Sequence, residues 1–294
     1  MQRNDAQIID KRLARGAFDR AAGSYDQAAV LQREVADRIL ERLDYIKHVP
    51  QRLLDVGCGT GYTLQPLARR YPGSEIWALD VSLNMLDQAR RKPTLWQKFR
   101  GRFRYVAGDA EQLPLADASV DMIFSSLAVQ WCVDLDRTFA EMRRVLKPDG
   151  LLMFSTFGPD TLRELRHCFE SVDDYSHTNQ FIDMHDIGDA LLRNGFGDPV
   201  MDMEMLTVTY DDVLSIMRDL KQIGAHNVTQ GRARGLTGKR RMQAVSEAYE
   251  QFRQEQRLPV SYEVLYGHAW AMESAGEGCA VPQSVNVSFD AGRS

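Results

Sequence analysis

Short apolar runs alternate with amphipathic stretches along the first half of the chain. Leu53-Leu54-Asp55-Val56 is apolar apart from one acid and predicts a buried strand over 52–56. Glu75-Ile76-Trp77-Ala78-Leu79 predicts a second strand, ending in Asp80, and Phe103 to Ala107 a third, ending in Gly108-Asp109. Asp121-Met122-Ile123-Phe124 predicts a fourth, and Leu151 to Thr156 a fifth after the turn Lys147-Pro148-Asp149-Gly150. Between them the apolar positions recur at helical spacing: Val35, Ile39, Leu40 and Leu43 within 28–47, then Leu64, Leu67 and Ala68 up to Pro72-Gly73. Met85, Leu86 and Ala89 follow a Ser82 cap, and Leu135, Phe139, Met142 and Leu146 make the last of the set. Strands alternating with helices predict an α/β fold: a Rossmann-like, doubly wound parallel sheet that gathers ligands at the carboxyl ends of its strands.

Past residue 157 the pattern changes. Helices are predicted near 160–171 and 184–194, with a strand over 200–210 and another at Tyr262 to Tyr266. The polar stretch 211–258 between those strands reads as a helical insertion, too long for a hairpin loop and placed to cover a site. The expected organisation is one domain over 1–272 with its binding core at 48–157. Residues 273–294, small and polar without period, predict a disordered tail.

Composition narrows the function classes. Of 294 residues, 44% are apolar and 26% charged, which suits a soluble globular chain, and the net charge of -5 argues against nucleic acid as partner. Cys58, Cys132, Cys168 and Cys279 are scattered and read as free thiols of a reducing compartment. No run of apolar residues is long enough to span a membrane. The start has no apolar signal core, and Asp5, Asp10 and Asp19 spoil it as a transit peptide, so a cytoplasmic protein is expected. No histidine or cysteine spacing suggests a metal.

The first strand runs into Gly57-Cys58-Gly59-Thr60-Gly61. A dinucleotide turn would need its third glycine where Tyr62 stands. Gly57, Gly59 and Gly61 with the preceding Asp55 instead match the turn that binds S-adenosylmethionine (SAM), whose ammonium and sulfonium welcome an acid. Asp80 is placed to accept both ribose hydroxyls, Asp109 the adenine amino group, and Asp55 the methionyl ammonium. Met85 is expected against the adenine face. Ala110 and Leu127, at the third and fourth strand ends, complete the candidate cofactor contacts.

Further motifs carry a family resemblance over nearly the whole chain. They are Phe18-Asp19-Arg20-Ala21-Ala22 with Tyr25, Leu31-Gln32, Leu127-Ala128-Val129-Gln130-Trp131-Cys132, and Met217-Arg218-Asp219-Leu220-Lys221-Gln222-Ile223-Gly224-Ala225. Leu236-Thr237-Gly238 and Tyr262-Glu263-Val264-Leu265-Tyr266-Gly267 follow. Together they resemble the malonyl-acyl carrier protein O-methyltransferases of biotin synthesis (the BioC family), class I methyltransferases with a seven-stranded sheet. The resemblance implies methylation of the free carboxylate of a malonyl thioester, on acyl carrier protein or coenzyme A.

A carboxylate is already ionised near neutral pH, so no general base is required, and none stands out. Arg218 and Lys221, three apart on one helix face, are candidates to hold the substrate carboxylate, with Tyr25 and Trp131 closing the pocket. Arg232, Arg234, Lys239, Arg240 and Arg241 form an acid-free cluster suited to docking an acidic carrier protein. Three rivals remain at this point: another small-molecule SAM methyltransferase, a methyltransferase-like complex I assembly factor that hydroxylates a protein arginine, and a SAM-binding regulator without turnover.

Overall fold

The apolar runs form a parallel sheet, and their order in space explains where a ligand can sit. A computed structural model describes residues 9–92, 102–172, 178–224 and 238–273. The strands are β1 (Arg52–Val56), β2 (Glu75–Asp80), β3 (Phe103–Ala107), β4 (Val120–Ser126), β5 (Leu146–Phe157), β6 (Phe196–Tyr210) and β7 (Leu258–Ala271). They make one seven-stranded sheet in the order β3-β2-β1-β4-β5-β7-β6. The first five run parallel, while β7 is antiparallel to both β5 and β6. The expected doubly wound α/β sheet is therefore present.

Both faces of the central strands are covered, which is why those strands read as continuous apolar runs rather than as alternation. Leu53, Met122, Phe124, Leu151 and Met153 belong to one core. Their sequence neighbours Leu54, Ile123, Leu152 and Phe154 belong to the other. The helices are α1 (Lys11–Ala21), α2 (Tyr25–Ala28), α3 (Val30–Arg42), α4 (Leu64–Arg70), α5 (Leu83–Arg91), α6 (Leu135–Val145), α7 (Arg163–Glu170), α8 (Met184–Arg193), α9 (Val213–Gln222) and α10 (Lys239–Tyr249). Val35 and Ile39 of α3, Leu165 of α7 and Val245 of α10 pack in the first core. Phe139 and Met142 of α6 and Leu191 of α8 pack in the second.

Three elements are longer than the pattern predicts. β5 already starts at Leu146, so Leu146 leaves the preceding helix and the expected turn Lys147-Pro148-Asp149-Gly150 falls within the strand's bounds. β7 starts at Leu258 instead of Tyr262 because Pro259, which reads as a breaker, pairs only with Thr209 of β6. Pairing with β5 begins at Val264, so the missing proline N–H breaks no bond on that side. β6 begins at Phe196, before the bulge between Gly197 and Val200. Two helices, α9 and α10, lie in the long connection between β6 and β7.

Helix α1 is an addition to the elements read from the sequence. Asp10 caps it, accepting from the Arg12 and Leu13 amides. Its buried residues are Ala14, Ala17 and Ala21, a face too small to register as an apolar stripe. It packs on α5: the Ser82 hydroxyl donates to Asp19 Oδ1 at 2.6 Å, and Asn84 Nδ2 to the Asp19 carbonyl at 3.0 Å. That contact sets α1 across the carboxyl ends of the parallel strands.

Candidate active site

The turn after β1 has three left-handed glycines, Gly57, Gly59 and Gly61, at φ +75°, +53° and +79°. Each is glycine for a different reason. A Cβ on Gly57 would stand 2.3 Å from the Ala128 Cβ, so the turn could not lie against the segment after β4. One on Gly61 would stand 2.9 Å from the Ala89 Cβ and block α5. One on Gly59 would meet no protein atom within 4 Å, and Gly59 itself lines the cavity. The Gly57 and Cys58 amides both donate to the Leu79 carbonyl, at 2.8 and 3.0 Å, which ties the turn to the end of β2.

Asp80 closes this corner. Its Oδ2 accepts from the Gly59 amide at 2.9 Å and its Oδ1 from the Ser82 amide at 2.8 Å. Each oxygen keeps a lone pair for a ligand hydroxyl. Burial raises its carboxyl to about 6, against the pull of those backbone donors. Asp109, past the end of β3, accepts from the Glu111 amide at 3.0 Å and from Lys11 Nζ at 2.6 Å. Lys11 also lies 2.8 Å from Glu111 Oε2. Asp55 is buried behind the turn and accepts from the Thr63 hydroxyl. Burial first, and the charge of Asp80 in addition, raise it to about 7.

These strand ends wall a cleft that encloses about 1010 Å³ of space counted out into open solvent. Val56, Gly57, Asp80, Asp109 and Leu127 come from four successive strand ends. Lys11, Ala14, Arg15 and Phe18 come from one face of α1 and cover them. Tyr25, Trp131 and Phe157 make the aromatic side, and Phe18 meets Trp131 edge to face at 5.0 Å. Burial, with Asp80 nearby, raises the Tyr25 phenol, so it stays a neutral donor. Leu127 holds a left-handed φ of +50°, fixed by its amide donating to the Ser155 carbonyl and hydroxyl at 3.0 and 3.1 Å. A second, smaller cavity, lined by Asp55, Thr60 and Arg33, shares Tyr25, Gln32, Gly57, Gly59 and Ser126 with the first.

Of the residues singled out in the sequence, Gly57, Gly59, Asp80, Met85, Asp109, Ala110, Leu127, Tyr25 and Trp131 line the main cavity. Asp55 faces the second cavity, and Gly61 supports the turn from behind. Arg218 and Lys221 are exposed on α9 and are not among the lining residues, although Ile223 just beyond that helix is. Lys239 and Arg240 are exposed at the start of α10 and Arg241 is half-buried. Arg232, Arg234 and the tail from 274 lie outside the described residues. The structure adds Lys11, Arg15, Gln32 and Phe157 to the site. The spacing of Lys11, Ala14, Arg15 and Phe18 after an Asp10 cap was the available signal for the first two. Among the described residues no histidine, cysteine and carboxylate group could hold a metal ion, and no helix is long and apolar enough to cross a membrane.

A glycine turn with no side chain at Gly59 and an ionisable acceptor at each of the first three strand ends fits a nucleoside that carries a cationic amino acid. Comparison with known proteins agrees. Residues 54–154 match the model of a methyltransferase domain. A malonyl-[acyl-carrier protein] O-methyltransferase of Nitrosospira multiformis is 56% identical over 275 residues, covering 90% of each chain. One of Gallionella capsiferriformans is 56% identical over 265 residues, covering 90% of this chain and 91% of the relative. The crystal structure of YcgJ from Bacillus subtilis shares the fold, with a TM-score of 0.57 at 19% identity over 81% of this chain and 100% of its own. With that identity over nine-tenths of its length, and with SAM as co-substrate, the chain belongs to the malonyl-[acyl-carrier protein] O-methyltransferase family of class I methyltransferases.

Proposed function

We propose that this chain transfers the methyl group of SAM to the free carboxylate of a malonyl thioester carried by acyl carrier protein, giving the methyl ester and S-adenosylhomocysteine. Masking that charge lets fatty-acid enzymes extend the chain, an early step toward the pimeloyl part of biotin. The observation that carries this reading is the make-up of the cavity. One side offers acceptors at successive strand ends, and the other is aromatic and holds no histidine among its described lining residues. Its lone thiol, Cys132, is pushed by burial up to about 12 and stays protonated. No base or nucleophile is needed when the acceptor is already an anion. When bound, SAM supplies an electrophilic methyl. A carboxylate oxygen forms the new bond to carbon as the carbon–sulfur bond breaks, and no proton moves.

The residues then have to bind, orient and exclude water. Asp80 accepts from the ribose and Asp109 from the adenine amino group, while Asp55 faces the methionyl ammonium. Tyr25, Trp131, Phe18 and Phe157 enclose the transferring methyl; proximity and orientation of this kind are worth roughly 7–11 kcal/mol of barrier. For the substrate carboxylate the cavity provides two cations, Lys11 and Arg15. Lys11 is held by two carboxylates. Arg15 has only a loose contact, 3.9 Å from Asp19 Oδ2, and is the freer of the two to take a ligand anion. Arg218 and Lys221 fit an outer guide for the incoming acyl group. Lys239, Arg240 and Arg241, with Arg232 and Arg234, fit a docking patch for an acidic carrier protein on a chain of net charge -5. The reading also places the enzyme in the cytoplasm as a single domain, with 211–258 as its substrate cover.

The test is to incubate the protein with SAM and either malonyl- or acetyl-carrier protein and weigh the carrier intact. A gain of one methyl on the malonyl form alone is expected. Gain on neither, or on both, overturns the reading. A docking patch further requires salt to weaken turnover of the carrier protein more than that of malonyl-coenzyme A; equal sensitivity removes the patch from the account.

A further inference from the structure

Tyr25 reaches the main cavity from a helix that cannot hold itself in place. α2 is a single turn of four residues, none fully buried, and its N-cap Ser24 does not cap it with a side-chain bond. A helix that short has little stability of its own, so its position comes from what it is tied to. Asp26, the residue after Tyr25, supplies the tie. Its Oδ1 accepts from the Thr60 hydroxyl at 2.5 Å, and its Oδ2 lies 2.7 Å from Lys92 Nζ. Lys92 Nζ also donates to Thr60 Oγ1 at 3.0 Å, which closes a ring of three contacts. Arg33 of α3 donates to the Asp26 carbonyl as well.

The ring joins three separate parts of the chain: α2, the glycine turn and the C-cap of α5. Thr60 stands between Gly59 and Gly61 and is only 3% exposed, and the ring uses both the donor and the acceptor of its hydroxyl. Asp26 and Lys92 are partly exposed, and an ion pair of that kind fixes little by itself. The buried hydroxyl bonded to both gives the pair one geometry. Against burial, the Lys92 and Thr60 bonds hold the Asp26 carboxyl below its ordinary value, so it stays an acceptor at neutral pH. Lys92 is not among the lining residues of either cavity. We infer that Asp26, Thr60 and Lys92 are positioning residues for methyl transfer: they fasten α2 to the glycine turn and so fix Tyr25 in the wall of the main cavity. The inference rests on Tyr25 enclosing the transferring methyl, as proposed above. The turn that holds the cofactor thereby also sets the wall on the substrate side.

Two measurements on the full chain test it. In steady-state assays with malonyl-carrier protein and saturating SAM, Lys92→Met is expected to lower kcat at least ~10-fold, since a small misplacement near the chemistry costs on the order of 100-fold. Affinity for S-adenosylhomocysteine should stay within about threefold of wild type. Lys92→Arg, which keeps the cation, is expected to keep most of the rate. Because the lysine acts through Tyr25, Lys92→Met should cost little more once Tyr25→Leu is present. An unchanged kcat overturns the inference. So does a loss that falls equally on kcat and on S-adenosylhomocysteine affinity, which marks a structural role, or a fully multiplied loss in the double variant. The second measurement needs no substrate. In protein labelled with 3-fluorotyrosine, the fluorine resonance that Tyr25→Phe removes must move in Lys92→Met and stay in Lys92→Arg; a resonance unmoved in Lys92→Met overturns the inference. Should Lys92→Met fail to fold, Asp26→Asn takes its place in both measurements, since it keeps an acceptor for Thr60 and removes the charge that holds Lys92. Wild-type protein that leaves malonyl-carrier protein unmethylated would strike the proposed function, and the resonance would still decide the role of the ring.

Discussion

Lys11 Nζ lies 2.6 Å from Asp109 Oδ2, so the first helix is fastened to the end of the third parallel strand, where the proposed reading puts the adenine amino group. Glu111, 2.8 Å away, is the second half of the fastening. Because α1 roofs the cavity, this pair holds the cover over its adenine end. Lys11→Met is expected to speed dissociation of S-adenosylhomocysteine several-fold in stopped-flow measurements. Stability should change by no more than about 1 kcal/mol, since both partners are partly exposed. Glu111 keeps donors in the Val133 and Asp134 amides when the lysine is gone. An unchanged off-rate would show that the cover is held by other contacts.

Two of the turn's three glycines, Gly57 and Gly59, separate folding from binding. Gly57→Ala must place its Cβ against Ala128 at a positive φ, and a loss of about 2–4 kcal/mol is expected from overpacking and the left-handed penalty together. Gly59→Ala meets open space and should cost only about 1 kcal/mol, yet at a residue that lines the cavity it is expected to cut SAM affinity more than tenfold. Thermal melts beside calorimetry check this; equal effects of the two changes on stability would contradict it.

Asp55 and Asp80 make the empty protein sensitive to pH. Their carboxyls sit at about 7 and about 6 against an ordinary 3.8. The folded chain therefore keeps protons that the unfolded chain has released. That contribution to stability is whole below about pH 4 and is lost as pH rises through 6 to 7. Binding a cation favours the ionised acids, so SAM affinity should rise between pH 5.5 and 7 with release of protons. Calorimetry in buffers of different ionisation enthalpy reads both. Affinity falling over that window would remove Asp55 from the ammonium.

The substrate cation is decided by kinetics. Arg15→Met is expected to raise KM for malonyl-carrier protein at least tenfold, with SAM affinity within twofold of wild type. Arg218→Ala, from an exposed position, should raise it less. The reverse order would return the main role to Arg218.

Most of the strand-end lining of the cavity was legible in the sequence, because apolar runs carrying Asp55, Asp80 and Asp109 at or just past their ends are a one-dimensional record of a parallel sheet and its carboxyl edge. The cover was not. Helix α1 buries alanines and sets the half-buried Lys11 and the exposed Arg15 along the edge of the cavity, so no apolar stripe marks it. Gln32 was visible only as a motif residue; that it lines both cavities follows from how α3 packs. Arg218 and Lys221 share a helix face as their spacing says, but spacing cannot tell which way that face looks.

The central claim is that methyl passes to an oxygen of the malonyl carboxylate with no base taking part. SAM carrying a carbon-13 methyl, given with malonyl-carrier protein, tests it in one product spectrum. The account predicts a single labelled methyl ester, removable by alkali. Label on carbon, or label that never leaves SAM, would contradict it.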